Sequence, residues 1–288
     1  MVLLLIAIGL TPAFKMKFWN IGAEGQILVG GAATAALMIY AGDSMPTPVL
    51  MILMFVASLA AGMIWGIIPA IFKAYFNTNE TLFTLMLNYV AMQIVTFCIV
   101  YWENPAGSNT VGIINSATRA GWLPALGGLT YGWNVLIVLA FTFGMYIYMK
   151  YSKQGYEVAV VGESQDTARY ARINVKRTII RTMGISGGIC GIAGFLLVSG
   201  ASHTISTSTA GGRGFTAIIV AWLSKFNAFV MILVSFFLVF MEKGAIQIAS
   251  QFNLNENASD VITGIILFFI LGSEFFIRYR IAFTKAHK

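Results

Sequence analysis

Charge and cysteine are both scarce in this chain. Only 10% of its 288 residues are charged, too few to cover the surface of a soluble protein of this length. Its two cysteines, Cys98 and Cys190, both fall in apolar runs. They read as packing residues, not as a disulfide or a thiolate metal site. The two histidines show no metal-ligand spacing, there is no GxxxxGK[ST] phosphate loop, and no hydrophilic stretch reaches domain size. Neither a metal centre nor an ATPase site can be built from these residues, so no cofactor is expected in this chain. The apolar runs also lack the series of Asp, Glu or His that a proton-coupled carrier needs. Glu274 comes nearest, but it lies four residues before Arg278 and reads as an i,i+4 pair at a span end.

What is present is hydrocarbon: 58% of residues are hydrophobic and the mean hydropathy is +0.80. The runs Val2–Phe14, Gln26–Tyr40, Val49–Phe72, Leu82–Tyr101, Trp133–Met149, Thr178–Ala201, Gly214–Leu223, Phe226–Met241 and Val261–Ile277 approach the roughly 20 residues that bridge a bilayer core. They predict an all-α, polytopic transmembrane helical bundle of about nine spans, some short or broken. Basic residues are retained on the cytoplasmic side. Lys15 and Lys17, Lys73, Lys150 to Arg181, Lys225 and the tail Arg278, Arg280, Lys285 and Lys288 therefore face inward. The connections at Asp43, Trp102 to Tyr131, His203 to Arg213 and Glu242 to Asp260 face outward. The C-terminus is then cytoplasmic, and the +7 net charge is accounted for by inner loops without any nucleic acid partner. Met1 opens directly into a short apolar run with no basic n-region, unlike a signal peptide, which leaves room for a preceding helix.

The 32 residues from Lys150 to Arg181 hold seven basic residues. Ser164 can cap a short helix, with Asp166 in its first turn, Arg169 and Arg172 in its last, and Asn174 at its end. From composition alone two readings stand: a helix that meets a soluble motor, or an amphipathic helix resting on anionic lipid.

Three segments carry a resemblance. Phe18-Trp-Asn-Ile-Gly-Ala-Glu-Gly-Gln26, Asn79-Glu-Thr-Leu-Phe-Thr-Leu-Met-Leu-Asn-Tyr89 and Val161-Gly-Glu-Ser-Gln-Asp-Thr-Ala-Arg-Tyr-Ala-Arg-Ile-Asn-Val175 resemble signatures of bacterial ABC importer permeases. The branch is the nucleoside and simple-sugar one of the ribose and branched-chain amino acid permease superfamily. Ile185 to Gly194 and Gly212 to Ile218 continue the match in the same order, covering about residues 10 to 275. The resemblance implies a single permease domain in a bacterial cell membrane. It also implies a second, related but non-identical permease, a cytoplasmic ABC ATPase that uses ATP and Mg2+, and an extracytoplasmic substrate-binding lipoprotein. Gly162 to Asn174 would be the coupling helix, with Gly162, Glu163, Ser164, Asp166, Arg169 and Arg172 toward the ATPase. Arg172 stands where the family usually has glycine, and Ala228 where a proline is common. The family also usually carries a further N-terminal span.

The substrate pathway has four candidates. Asn20, Glu24 and Gln26 lie among glycines beside an apolar run, a composition suited to a broken helix whose freed backbone lines a cavity. They could hydrogen-bond a substrate, or satisfy that backbone themselves. Charge counting places them near the cytoplasmic side and a broken helix places them deeper; both depths stay open. Asn88 shares a helical face with Thr81, Thr84 and Leu85 and could face the pathway or pin two helices, while Asn79 caps the helix. Gly184, Gly187, Gly188, Gly191 and Gly194 recur at three- and four-residue spacing and predict close helix packing. The alternative to an ABC permease is a secondary carrier or channel for a small polar solute. An intramembrane enzyme would need a paired carboxylate, Ser/His or metal constellation that the sequence does not contain.

Overall fold

The structure, a computed structural model, describes residues 1–252 and 256–278, without the side chains of 256–260, 271 and 274–278. The side chains of the expected Glu274–Arg278 pair, and the basic tail after Arg278, lie outside the described residues. Over the rest the chain is all-α, with eleven helices and one π-helical turn. In chain order these are α1 (Val2–Lys15), α2 (Ala23–Ala41), α3 (Thr47–Phe76), α4 (Glu80–Trp102), α5 (Gly132–Tyr151), α6 (Lys153–Glu163), α7 (Gln165–Tyr170), α8 (Val175–Leu197), α9 (Arg213–Leu223), α10 (Ala228–Gln251) and α11 (Glu256–Arg278).

Every apolar run has a helix over it. Among the described residues, α3, α4, α5, α10, and α8 with its π-helical turn Val198–Ser202 are long and apolar enough to cross a membrane. The shorter apolar helices are α1, α9 and the stretch 261–270. The α10 helix runs ten residues past Met241, to Gln251, and α11 already starts at Glu256, so most of the expected outer connection is helical. Glu242 and Lys243 are good helix formers, and a helix need not stop where hydrocarbon ends.

The helix at the centre is α8. Of its apolar stretch 94% is buried, against 22–28% in α3, α4, α5 and α10, whose outer faces are left for lipid. Its glycines make this possible: a Cβ on Gly187 would collide with the Gly62 carbonyl of α3, and one on Gly191 with the Ser58 carbonyl. Gly194 meets the backbone of α2 at Ile27 and Gly31 in the same way. With no hydrophobic driving force between helices in lipid, backbones approach where side chains are smallest. The helix α1 is also enclosed, with residues 3 to 14 all buried.

The long connection between α4 and α5 closes one end of the bundle. Ile114 N–H donates to the His203 carbonyl at 2.9 Å and Leu123 N–H to the Ser199 carbonyl at 3.0 Å. Trp122 stacks on His203 with 3.8 Å between ring centroids. Burial holds the His203 imidazole below the usual histidine pKa.

At the opposite end the single helix expected over Gly162 to Asn174 is instead two. The end of α6 already contains Gly162 and Glu163, Ser164 caps the short α7 by accepting from Thr167 N–H at 3.3 Å, and Asn174 caps α8 through Arg177 N–H. Arg172 lies outside any helix, at φ +56°. In that left-handed region a Cβ is strained, so glycine is the favoured residue there.

Candidate functional site

Between α1 and α2 the helix breaks, and the break lies deep in the bundle. Residues 16–22 fold back from Lys15 so that α2 starts beside the interiors of α4 and α8. Asn88 lies eight residues into α4 and Ser186 eleven into α8. At 1.5 Å per residue Asn88 lies about 12 Å and Ser186 about 16 Å along their helices, so the segment runs from Lys15, beside Gly162 of α6, inward to Asn20 and Gly25 in the packed interior.

Freed backbone groups at such a depth need partners, and the polar side chains supply them. Asn88 donates to the Ile21 carbonyl at 2.9 Å and accepts from Gly25 N–H at 2.8 Å. Thr84 Oγ1 accepts from Ile21 N–H at 3.2 Å. Asn20 accepts from Gly22 N–H at 3.0 Å, donates to Ser186 Oγ at 3.3 Å and exchanges amide hydrogen bonds with Gln26 at 3.4 Å. Asn20, Gln26, Thr84 and Asn88 are all buried. Three of the four pathway candidates are therefore brought together as one network, already bonded within the chain. Sequence reading missed Ser186, which carries no signal within a glycine-rich helix.

Glu24 does something different. It is half-buried in the first turn of α2, and its carboxylate accepts from Gly212 N–H at 2.7 Å and Gly214 N–H at 2.8 Å. Those N–H groups open α9, so one carboxylate lies at the positive ends of two helices. A Cβ on Gly214 would run into Glu24 itself. The motif from Gly212 to Ile218 had marked this segment in the sequence, without showing what its glycines meet.

From there α9 runs back to the end that carries α6 and α7. Near its last turn Trp222 stacks on Trp19 of the broken segment, centroids 5.5 Å apart and planes 17° from parallel. Both indoles are partly exposed, Trp19 at 44% and Trp222 at 38%. Sequence reading passed over both, because nothing local links residues so far apart in the chain.

The surface helices are clamped to the bundle. Val158 and Val161 of α6 and Ala168 of α7 pack with Ala13, Phe18 and Met183 in an apolar cluster, and Arg181 of α8 pairs with Glu157 at 2.9 Å. Gly162 abuts the Lys15 carbonyl so closely that a Cβ would not fit. Val158 and Val161 of α6 are thus buried against protein, while Tyr156 on the same helix stays 64% exposed. Facing out are Glu163 and the Asp166–Arg169 pair at 3.1 Å, both members of the pair more than two-thirds solvated or nearly so. That pair adds little stability by itself. Tyr170 beside it is 91% exposed, an aromatic of the kind that anchors protein interfaces, and was not singled out from sequence.

Residues 1–271 match the family described as the permease component of the branched-chain amino acid transport system. The chain belongs to this family. The permease is 28% identical to the glucose ABC transporter permease protein TsgB13 of Haloferax volcanii, over 97% of this chain and 76% of that one. It is 30% identical to the guanosine ABC transporter permease protein NupP of Bacillus subtilis, over 91% and 75%. To the nucleoside ABC transporter permease protein NupB of Lactococcus lactis it is 26% identical, over 99% and 80%. No solved structure matches it. The permease is a multi-pass membrane subunit of an ABC importer, and transport is its work, not catalysis.

Proposed function

We propose that this permease carries nucleosides, purine nucleosides foremost, or simple sugars, as one transmembrane domain paired with a related, non-identical permease. The observation that carries the substrate class is the partly exposed Trp19–Trp222 stack beside the broken helix. Nucleobases and the apolar faces of sugars both stack on indole, and relatives named for guanosine, nucleosides and glucose point the same way. In this reading Asn20, Gln26 and Asn88 hold the break rigid and Glu24 ties it to α9. Substrate then passes over the surface they shape, delivered by an extracytoplasmic binding lipoprotein. Glu163, Asp166, Arg169, Arg172 and Tyr170 meet a cytoplasmic ABC ATPase, and the clamp of α6 and α7 onto α1 and α8 carries its closure to the break.

Uptake of labelled guanosine, adenosine, uridine, ribose and glucose, with and without the gene, tests the substrate. Trp19→Ala with Trp222→Ala should abolish uptake of one ligand class while the protein remains in the membrane. Asp166→Ala with Tyr170→Ala should abolish uptake of every ligand. Unchanged uptake of all five ligands on deletion, in a strain with no redundant importer, would overturn the substrate reading.

A further inference from the structure

Where α1, α5 and α10 meet, a cavity of about 480 Å3 opens at the end of the bundle that carries α6 and α7. Three lysines line it: Lys15 from the last position of α1, Lys150 near the end of α5, and Lys225 from the turn between α9 and α10. Among the described residues none of the three forms an ion pair, and no acidic residue lines the cavity. Elsewhere at this end Lys73 pairs with Glu80, Arg181 with Glu157 and Arg169 with Asp166, while Lys17, Lys153, Arg172, Lys176 and Arg177 have no ion-pair partner among the described residues. Lys15, Lys150 and Lys225 differ from these in lining one cavity that no acidic residue lines. Three ammonium groups around one space repel each other unless an anion joins them.

Besides the lysines, the cavity is lined by methionines and Ile8 together with Thr11, whose hydroxyl is taken up by the Ala7 carbonyl. Ile8 and Met231 are buried in its floor, and Met145 forms a wall. On the rim, Lys150 donates to Tyr146 Oη at 3.0 Å and lies over that ring. Phe229 packs edge-on against the same ring, 5.1 Å between centroids, and is 55% exposed, as is Leu233 one turn on at 71%. Charge at the rim, apolar walls within and an exposed apolar track alongside describe an amphipathic anion, not an inorganic one. We propose that this cavity binds the headgroup of an anionic phospholipid of the adjoining leaflet, with its acyl chains laid along α10. Lysines at a membrane surface favour anionic lipid additively, and here they are gathered around one cavity.

The test uses the purified full chain with its partner subunits. Native mass spectrometry after delipidation compares retention of phosphatidylglycerol with phosphatidylcholine, for the wild type and two triple variants. Lys15→Gln with Lys150→Gln and Lys225→Gln should weaken phosphatidylglycerol retention by about tenfold or more. Lys17→Gln with Lys153→Gln and Lys176→Gln removes equal charge from the same end and should change it less than about twofold. Equal losses in the two triples would reduce the effect to general surface charge and overturn the proposal. So would displacement of the lipid by millimolar inorganic phosphate. Should the cavity triple not assemble, a photoactivatable phosphatidylglycerol on the wild type decides. Crosslinks within 143–150 and 225–233 support the site, and crosslinks only elsewhere refute it.

Discussion

Replacing Asn88 separates the two roles that its sequence position left open. Its amide is buried, at 3% exposure, and it serves two backbone groups of the broken segment: the Ile21 carbonyl at 2.9 Å and Gly25 N–H at 2.8 Å. In Asn88→Ala both lose their partner at a depth where water cannot replace it. At about 1 kcal/mol for each hydrogen bond the loss is about 2 kcal/mol, which lowers the melting temperature by about 4–8 °C in a protein of this size. Asn88→Leu keeps the volume and should lose as much. Asn88→Asp retains the acceptor for Gly25 but turns a second oxygen toward the Ile21 carbonyl, so it should be no milder. Thermal unfolding in nanodiscs reads the stability, and uptake by cells reads the transport. If Asn88→Ala melts with the wild type but no longer transports, the amide serves the substrate and the scaffold reasoning is wrong.

Three further outcomes are expected. Gly191→Val should block assembly of the bundle, because its Cβ would collide with Ser58 of α3; a folded, well-expressed variant by size-exclusion chromatography would contradict the packing. Ala228→Pro should stabilise by about 0.4–1 kcal/mol. Ala228 opens α10, where proline is preferred, and Asn227 at φ −92°, ψ 118° already has the extended backbone that a following proline requires; a fall in melting temperature would refute this. Burial lowers the His203 pKa in the folded protein, so the unfolded chain binds the proton more readily. The His203 contribution to stability is therefore present above about pH 6.5 and lost as pH falls below it. His203→Phe, keeping the Trp122 stack, should flatten the decline in melting temperature between pH 7.5 and 5.5, and an unaltered slope would exclude His203 as its source.

Much of this was legible in the chain, and the reason is local. Apolar runs of bilayer length mark helices because hydrocarbon demands them, and all nine runs have helices over them. Ser164 and Asn174 announced caps because their side chains bond N–H groups two or three residues on; what could not be read was that Asn174 caps the following helix instead of ending the one before. The extra turns of α10 and the division at Ser164 depend on where each helix finds packing. Arg172 at φ +56° accounts for the glycine its family usually places there, although no property of arginine signals that backbone.

Which polar groups meet could not be read, because their partners are distant in sequence. Glu24 and Gly212 are 188 residues apart, and Asn20 and Ser186 are 166 apart. The sequence alone determined that the chain is an all-α membrane bundle, that it has a break between Lys15 and Gln26, and that glycines line one helix. Only the tertiary structure decided that α8 is the buried axis while the more apolar α3 and α10 face outward. Hydropathy separates water from membrane, but within the membrane lipid and protein are equally apolar. Position there follows from how closely backbones approach, and that is settled by Gly62, Gly187 and Gly191 only when their helices meet.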